Sequence, residues 1–207
     1  WIIKNIDDLV TKYDKKNSIT LGLNLYNVNS DYSFFIDLLQ KYKIRHARLS
    51  ITAPNSNGGK DSFERLTVFK NQLYQLYVDL RYRGVNVIFD CNKVPACLWT
   101  EEEIMKISLI QANNENQRLG FNLNSNKCNP VIDILPDLTA VRCFGLSQYT
   151  KVKIEDFASL DHLYGYYQTY FDERLVKVPT IDECANCEMF NDSSCYGGCL
   201  ANKPRIN

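Results

Sequence analysis

Two hydrophobic periods take turns along the N-terminal part of the chain. Ile3, Ile6, Leu9 and Val10 recur at helical spacing until the polar run Asp14 to Asn17, which predicts a helix from Ile2 to about Tyr13. Ser18 to Tyr26 then alternates, with Ile19, Leu21, Leu23 and Leu25 on one face and Thr20, Gly22, Asn24 and Tyr26 on the other, and so predicts a strand. Ser30 or Asp31 is placed to cap the next helix, whose stripe is Phe34, Phe35, Leu38 and Leu39. Ile44 to Thr52 alternates again, Ala47, Leu49 and Ile51 opposing His46, Arg48 and Ser50. After the loop-forming run from Ala53 to Gly59, Asp61-Ser62-Phe63-Glu64 reads as a capping box for a long helix that Gly84 stops. Val85 to Asp90 is a third strand and delivers Cys91.

Helix, strand, helix, strand, helix, strand is the order of parallel βαβ units. A doubly wound sheet would favour near-continuous apolar strands, yet here Asn24, Arg48, Ser50 and Asp90 share the face opposite the leucines. A curved, barrel-like sheet with a polar lumen accounts for them, and so does a sheet with one face in water. On the first account these four residues are the candidates for ligand contact, since strand C-termini are where such sheets hold their sites. His46 and His162 read as structural polar residues rather than bases. Three βα units do not close a barrel, so an N-terminal half is expected to precede this chain.

Beyond Cys91 the pattern changes. Asn92 to Trp99 reads as a loop, Thr100-Glu101-Glu102-Glu103 caps a helix to about Gln111, and the Asn-rich run from Asn113 to Lys127 crosses to a second unit. Val131, Ile132 and Ile134, a Pro136-Asp137 turn and Val141 form a hairpin with Cys128 and Cys143 at its feet. An aromatic helix is predicted from Ile154 to about Tyr170.

The 207 residues include eight cysteines, more than a core of this size needs for support. Cys184, Cys187, Cys195 and Cys199 are spaced C-x2-C-x7-C-x3-C, with Gly197 and Gly198 freeing the backbone between the last two. Thiols in this pattern converge on a soft metal, zinc or an iron–sulfur cluster; a disulfide-stapled tail is the other reading of the same spacing. With 45% hydrophobic residues, a formal net charge of zero and no apolar run approaching the length of a membrane span, the chain is expected to be cytoplasmic, with neither nucleic acid nor membrane as its main partner.

Taken together, Cys128 to Cys143 and Cys184 to Cys199 resemble the SPASM domain, the cluster-binding C-terminal extension of radical S-adenosylmethionine (radical SAM) enzymes. That family's pattern is a C-x9-15-G-x4-C hairpin, then C-x2-C-x5-C-x3-C and one last cysteine. Cys128 is followed by nine residues, then Leu138 in place of the glycine, four more residues and Cys143. The third spacing is x7, the last family cysteine is absent after Cys199, and the radical-initiating C-x3-C-x2-C does not occur. The preceding strand–helix series is similar to the second half of the family's barrel.

The resemblance implies an α/β fold: the second half of a partial (β/α)6 radical SAM barrel over residues 1–112, then a small cysteine-rich SPASM domain with a β-hairpin over 113–207. It implies that Cys128, Cys143 and Cys199, with Cys97 as the upstream ligand, hold one auxiliary [4Fe–4S] cluster. Cys184, Cys187 and Cys195 would hold a second, its fourth ligand missing or supplied by substrate. Cys91 is either an eighth ligand or a buried strand-end thiol. The parent enzyme would use S-adenosylmethionine to modify a peptide or protein side chain, with Asn24, Arg48, Ser50 and Asp90 as candidate contacts to the nucleoside, its carboxylate or the substrate. As given, the chain should not cleave S-adenosylmethionine. The reading from a different class is a non-catalytic scaffold module holding zinc or a cluster, since four-thiolate zinc sites use similar spacings.

Overall fold

The computed structural model describes residues 1–53, 60–89, 94–112, 127–128, 131–147, 149 and 151–204. Asp90, Cys91, the loop 54–59 and the crossing segment 113–126 lie outside the described residues. The fold is mixed α/β with two small three-stranded sheets. The chain divides into two compact units, one of Trp1–Thr52, Thr67–Cys91 and Cys97–Asn122, the other of Ala53–Leu66, Asn92–Ala96 and Leu123–Asn207. The division differs from a single cut after residue 112 in giving the second unit two earlier segments.

In the first unit, α1 (Ile2–Thr11) leads to β1 (Leu21–Leu25), α2 (Ser33–Lys41) and β2 (His46–Ile51). The long helix α3 (Lys60–Tyr82) is followed by β3 (Asn86–Phe89) and α4 (Glu101–Ala112). The strands lie in the order β1-β2-β3 and pair in parallel, Leu23 opposite Leu49 and Ala47 opposite Val87. This is the βαβ order that the alternating pattern predicts. One face is core: Leu25, Ala47 and Leu49 are wholly buried, and Leu23, Ile51 and Val87 nearly so. Each such leucine contributes about 1.5–3 kcal/mol by leaving water.

Local chemistry accounts for several of the element ends. The Asp31 carboxylate accepts hydrogen bonds from the Ser33 N–H (2.8 Å) and Oγ (2.9 Å) just ahead of α2, whose N-cap is Tyr32 rather than Ser30 or Asp31. Thr100 and Glu103 form a reciprocal capping box at α4, the Thr100 N–H donating to Glu103 Oε2 at 2.9 Å and the Glu103 N–H to Thr100 Oγ1 at 3.2 Å. Gly84, at φ 74°, ends α3 as predicted. Asp61 is not the cap of α3: the helix already includes Lys60, so Asp61 sits in its first turn, where a carboxylate still favours the helix dipole. Of the α1 stripe only Ile6 is buried, and the helix is tied down by Tyr42, whose hydroxyl donates to Asp7 Oδ1 at 3.2 Å.

Inside α3 and α4 the first unit carries a buried ion pair. Lys70 Nζ reaches both Glu103 carboxylate oxygens, at 2.8 and 2.7 Å, beneath the Trp99 ring. Burial resists the charge on Glu103, but the Lys70 ammonium and the Thr100 N–H outweigh it and hold the carboxyl below its usual range.

In the second unit, β4 (Asp133–Ile134), β5 (Thr139–Val141) and β6 (Lys151–Lys153) form an antiparallel sheet in that order. The hairpin is as predicted; β6 adds a third strand that its short, mostly exposed sequence does not announce. The aromatic helix begins later than Ile154. Ile154–Asp156 is a 3-10 turn closing β6, and α5 (Leu160–Tyr167) starts after Ser159, whose side chain accepts from the His162 N–H. A π turn, Gln168–Asp172, carries it on into α6 (Glu173–Leu175). Tyr167 is wholly buried and donates to the Ala140 carbonyl at 2.7 Å, fixing α5 on β5. Two short helices follow, α7 (Asp182–Ala185) and α8 (Glu188–Asn191).

Candidate metal centre

The hairpin turn sets the spacing of its two cysteines. Asp137 Oδ1 accepts from the Thr139 N–H at 3.1 Å and from Thr139 Oγ1 at 2.6 Å, and these bonds hold its carboxyl below the ordinary range. Leu138 takes φ 58°, a left-handed conformation that L-residues adopt at a cost. Its N–H still bonds to the Leu135 carbonyl (3.0 Å), and its own carbonyl receives the Ile154 N–H (3.1 Å). The backbone there is in the left-handed region that favours glycine.

At the foot of the hairpin, Cys143 is extended and leads into the 3-10 turn Phe144–Leu146, closed by Asp133 Oδ2, which accepts from the Phe144 N–H at 3.0 Å. Gly145 then meets the second cysteine motif at backbone distance. A Cβ there would lie 2.9 Å from Ala201 Cβ, 3.3 Å from Ala53 Cβ and 3.8 Å from Cys143 Sγ. Cys128, Cys143 and Cys199 all pack on one apolar cluster of Leu146, Leu175, Leu200 and Ala201.

Within that cluster the sulfurs of Cys128 and Cys199 share a hydrogen bond. The Cys199 thiol donating to it pulls Cys128 down to about 7, against burial, and the Leu200 N–H helps. The same bond, with burial, pushes Cys199 well above the ordinary thiol range; Cys143 lies within Coulomb range, and the Ala201 N–H points at the Cys199 sulfur. Beside Cys128, Arg142 is buried and paired with Asp172, which the π turn presents to it: Nη2 to Oδ2 is 2.6 Å, Nε to Oδ1 is 3.1 Å. The Arg142 guanidinium also covers the Tyr164 ring at 5.1 Å.

The second group of cysteines is built around Lys203. Cys184 lies within α7, Cys187 is the N-cap residue of α8, and the Cys195 N–H bonds back to the Met189 carbonyl at 2.7 Å. The x7 spacing is taken up by α8 and a turn in which Ser193 is at φ 61° and Asp192 Oδ1 accepts from the Ser194 N–H and Oγ. Cys184 and Cys195 are buried, and the Gly197 N–H donates to Cys195 Sγ at 3.2 Å. Gly197, at φ 71°, is held by Thr180 Oγ1, which donates to its carbonyl at 2.8 Å. Lys203 Nζ donates to the Val178 carbonyl at 2.5 Å and lies 4.8 Å from the Phe190 ring centre. Burial brings its ammonium down to about 8, while Cys184 and Cys195 act in the opposite direction.

Thiolates and N–H···S donors are the ligand chemistry of zinc and iron–sulfur centres. The seven described cysteines are free thiols. Among the described residues no three Cys, His, Asp or Glu side chains stand close enough to hold a single metal ion. Cys97 is exposed in the 3-10 turn Ala96–Leu98. Cys91 lies outside the described residues.

Of the candidate ligand contacts of the parallel sheet, the three described ones, Asn24, Arg48 and Ser50, share a face, and Asp90 lies outside the described residues. Asn24 and Ser50 are cross-strand partners, and the Ser50 hydroxyl donates to Asn24 Oδ1. Arg48 lies across from Gly22, where a Cβ would be 3.8 Å from its Nε. Asn24 and Arg48 are exposed and Ser50 is half-buried, so in this unit the face opens to water. His162 packs edge-on against Phe157. Lys203 and the Arg142–Asp172 pair escape sequence reasoning; the only signal of Lys203 is its place four residues after Cys199.

No protein-family model, no curated protein and no solved structure matches the chain. Among the described residues, no helix is long and apolar enough to cross a membrane.

Proposed function

We propose that the chain is the C-terminal portion of a radical SAM/SPASM enzyme that modifies a peptide or protein side chain in the cytoplasm, and that its second unit holds auxiliary [4Fe–4S] clusters. The observation that carries this reading is the meeting of Cys128 and Cys143, from the feet of the hairpin, with Cys199, from the distant second motif, on one apolar cluster. The left-handed backbone at Leu138 supports it, because the family's pattern has glycine there. A cluster bound by these cysteines supplies one-electron transfer. The chain's own contribution is to bury the sulfurs, direct the Leu200, Ala201 and Gly197 N–H groups at them, and set the local charge. On this reading Asn24, Arg48 and Ser50, on the face of the sheet opposite its leucines, would meet the nucleoside or substrate; Asp90 lies outside the described residues.

The close Cys128–Cys199 sulfur pair favours a second reading, a non-catalytic zinc-binding scaffold, since a tetrahedral ion draws its ligands together. Anaerobic reconstitution of the full chain with iron and sulfide separates the two. The cluster reading expects brown protein with on the order of eight irons and matching sulfide if both centres form. Colourless protein that retains stoichiometric zinc and takes up no iron refutes it.

A further inference from the structure

Lys203 is among the largest wholly buried side chains of the protein. Its one hydrogen-bond acceptor among the described residues is the Val178 carbonyl, at 2.5 Å, and the Phe190 ring covers another side. An ammonium removed from water costs several kcal/mol, of which one carbonyl and a ring face return only part. Gly197, whose N–H donates to Cys195 Sγ at 3.2 Å, would bring a Cβ within 3.1 Å of Lys203 Nζ, so the ammonium lies against the Cys195 loop, and among the described residues the sulfurs of Cys184 and Cys195 are the groups that favour its charge. As thiols these are neutral. Binding a metal strips their protons and turns them into thiolates, and the buried cation then has its counter-charge.

The fold holds the ammonium in this seat from several directions. The 3-10 turn Leu200–Asn202 carries the chain straight from Cys199 to Lys203, whose N–H bonds to the Leu200 carbonyl at 3.2 Å. The Tyr149 hydroxyl donates to the Lys203 carbonyl at 3.1 Å. A Cβ at Gly197 would come within 3.1 Å of Nζ and 2.6 Å of Thr180 Oγ1, so the glycine that turns the Cys195–Cys199 loop also makes room for the charge. Among the described residues, the charges beside Cys128 in the other group cancel, because Asp172 pairs with Arg142 at 2.6 Å.

We propose that Lys203 is the built-in counter-charge of the Cys184–Cys187–Cys195 centre, and that it raises the reduction potential of an iron–sulfur cluster held there. This rests on the cluster reading above. Reduction adds one negative charge to a cluster, and a cation fixed against its thiolates stabilises the reduced form, since cluster potential responds to net charge and to hydrogen bonds on sulfur.

The test is a redox titration of the reconstituted full chain followed by electron paramagnetic resonance, with iron counted in every sample. Lys203→Met and Lys203→Gln should bind as much iron as wild type. Both should lower the midpoint of one centre, the one lost in Cys184→Ala, by at least a tenfold change in equilibrium constant, about 59 mV for one electron. Lys203→Arg, which keeps the charge, and Lys153→Met, at an exposed lysine, should leave it in place. Should Lys203→Met fail to fold, Lys203→Gln decides, because its amide can still donate to Val178. An unchanged midpoint in the neutral variants, a shift in the other centre, an equal shift in Lys153→Met, or loss of iron from folded Lys203→Gln overturns the proposal. Absence of iron from the wild-type chain overturns the cluster reading and this proposal together.

Discussion

Leu138→Gly should stabilise the protein, although it removes a leucine. At φ 58° the leucine Cβ crowds the backbone, a strain of about 1–2 kcal/mol for an L-residue in this region. Glycine escapes that strain but loses more freedom on folding, by roughly 0.5–1 kcal/mol. The side chain is 68% exposed, so little packing is lost, and the hydrogen bonds of this residue to Leu135 and Ile154 are all backbone. The balance is a gain of up to about 1 kcal/mol. With a urea slope of roughly 2–3 kcal/mol/M, the midpoint should rise by up to about 0.3–0.5 M at unchanged slope. Leu138→Val should go the other way, since branching at Cβ makes positive φ harder still. The assay is urea unfolding of the reduced, metal-free chain followed by circular dichroism. A lower midpoint for Leu138→Gly, or a Leu138→Val as stable as wild type, refutes the argument that this position demands glycine-like backbone.

Three further outcomes follow from the same coordinates. Glu103→Ala leaves Lys70 buried without its carboxylate and should cost about 3–5 kcal/mol in urea unfolding at pH 7; a cost under about 1 kcal/mol would contradict the buried pair. Because the folded Glu103 carboxyl titrates below its unfolded value of about 4.3, its contribution is fully present above that pH and is lost as pH falls through the folded value. Stability measured from pH 7 down to pH 3 should therefore fall more steeply in wild type than in Glu103→Ala, and parallel curves would refute the assignment. Gly145→Ala drives a methyl into Ala201 and should destabilise by about 1–3 kcal/mol while lowering iron uptake, whereas Gly165→Ala, which meets nothing within 4 Å on α5, should be neutral or stabilising by about 0.5–1 kcal/mol.

Elements with a one-dimensional signature were legible in the sequence. Ala47, Leu49 and Ile51 alternate with polar residues because one face of β2 is core, and the Thr100–Glu103 capping box marks α4 because both partners are local. The signal weakened where two local motifs competed. Ile154 continues the apolar pattern of the helix, yet Ser159 holds the real cap, and the residues between close β6 instead. β6 itself has three residues with exposed ends, too short for a period to register. The grouping of the cysteines depended on the family resemblance, since spacing alone would keep Cys199 with Cys195. Lys203 left no signal in the sequence beyond its place four residues after Cys199. A lysine in a polar C-terminal run reads as solvated, and only the tertiary approach of Val178, Phe190 and the two thiols makes it a buried charge.

The most direct test of the account is the assignment of Cys199. Each of Cys128→Ala, Cys143→Ala, Cys199→Ala, Cys184→Ala, Cys187→Ala and Cys195→Ala would be reconstituted anaerobically and its remaining clusters identified by electron paramagnetic resonance and iron content. The account predicts that Cys199→Ala abolishes the same signal as Cys128→Ala and Cys143→Ala and spares the one lost in Cys184→Ala. It is contradicted if Cys199→Ala abolishes the Cys184 signal and leaves the hairpin signal intact.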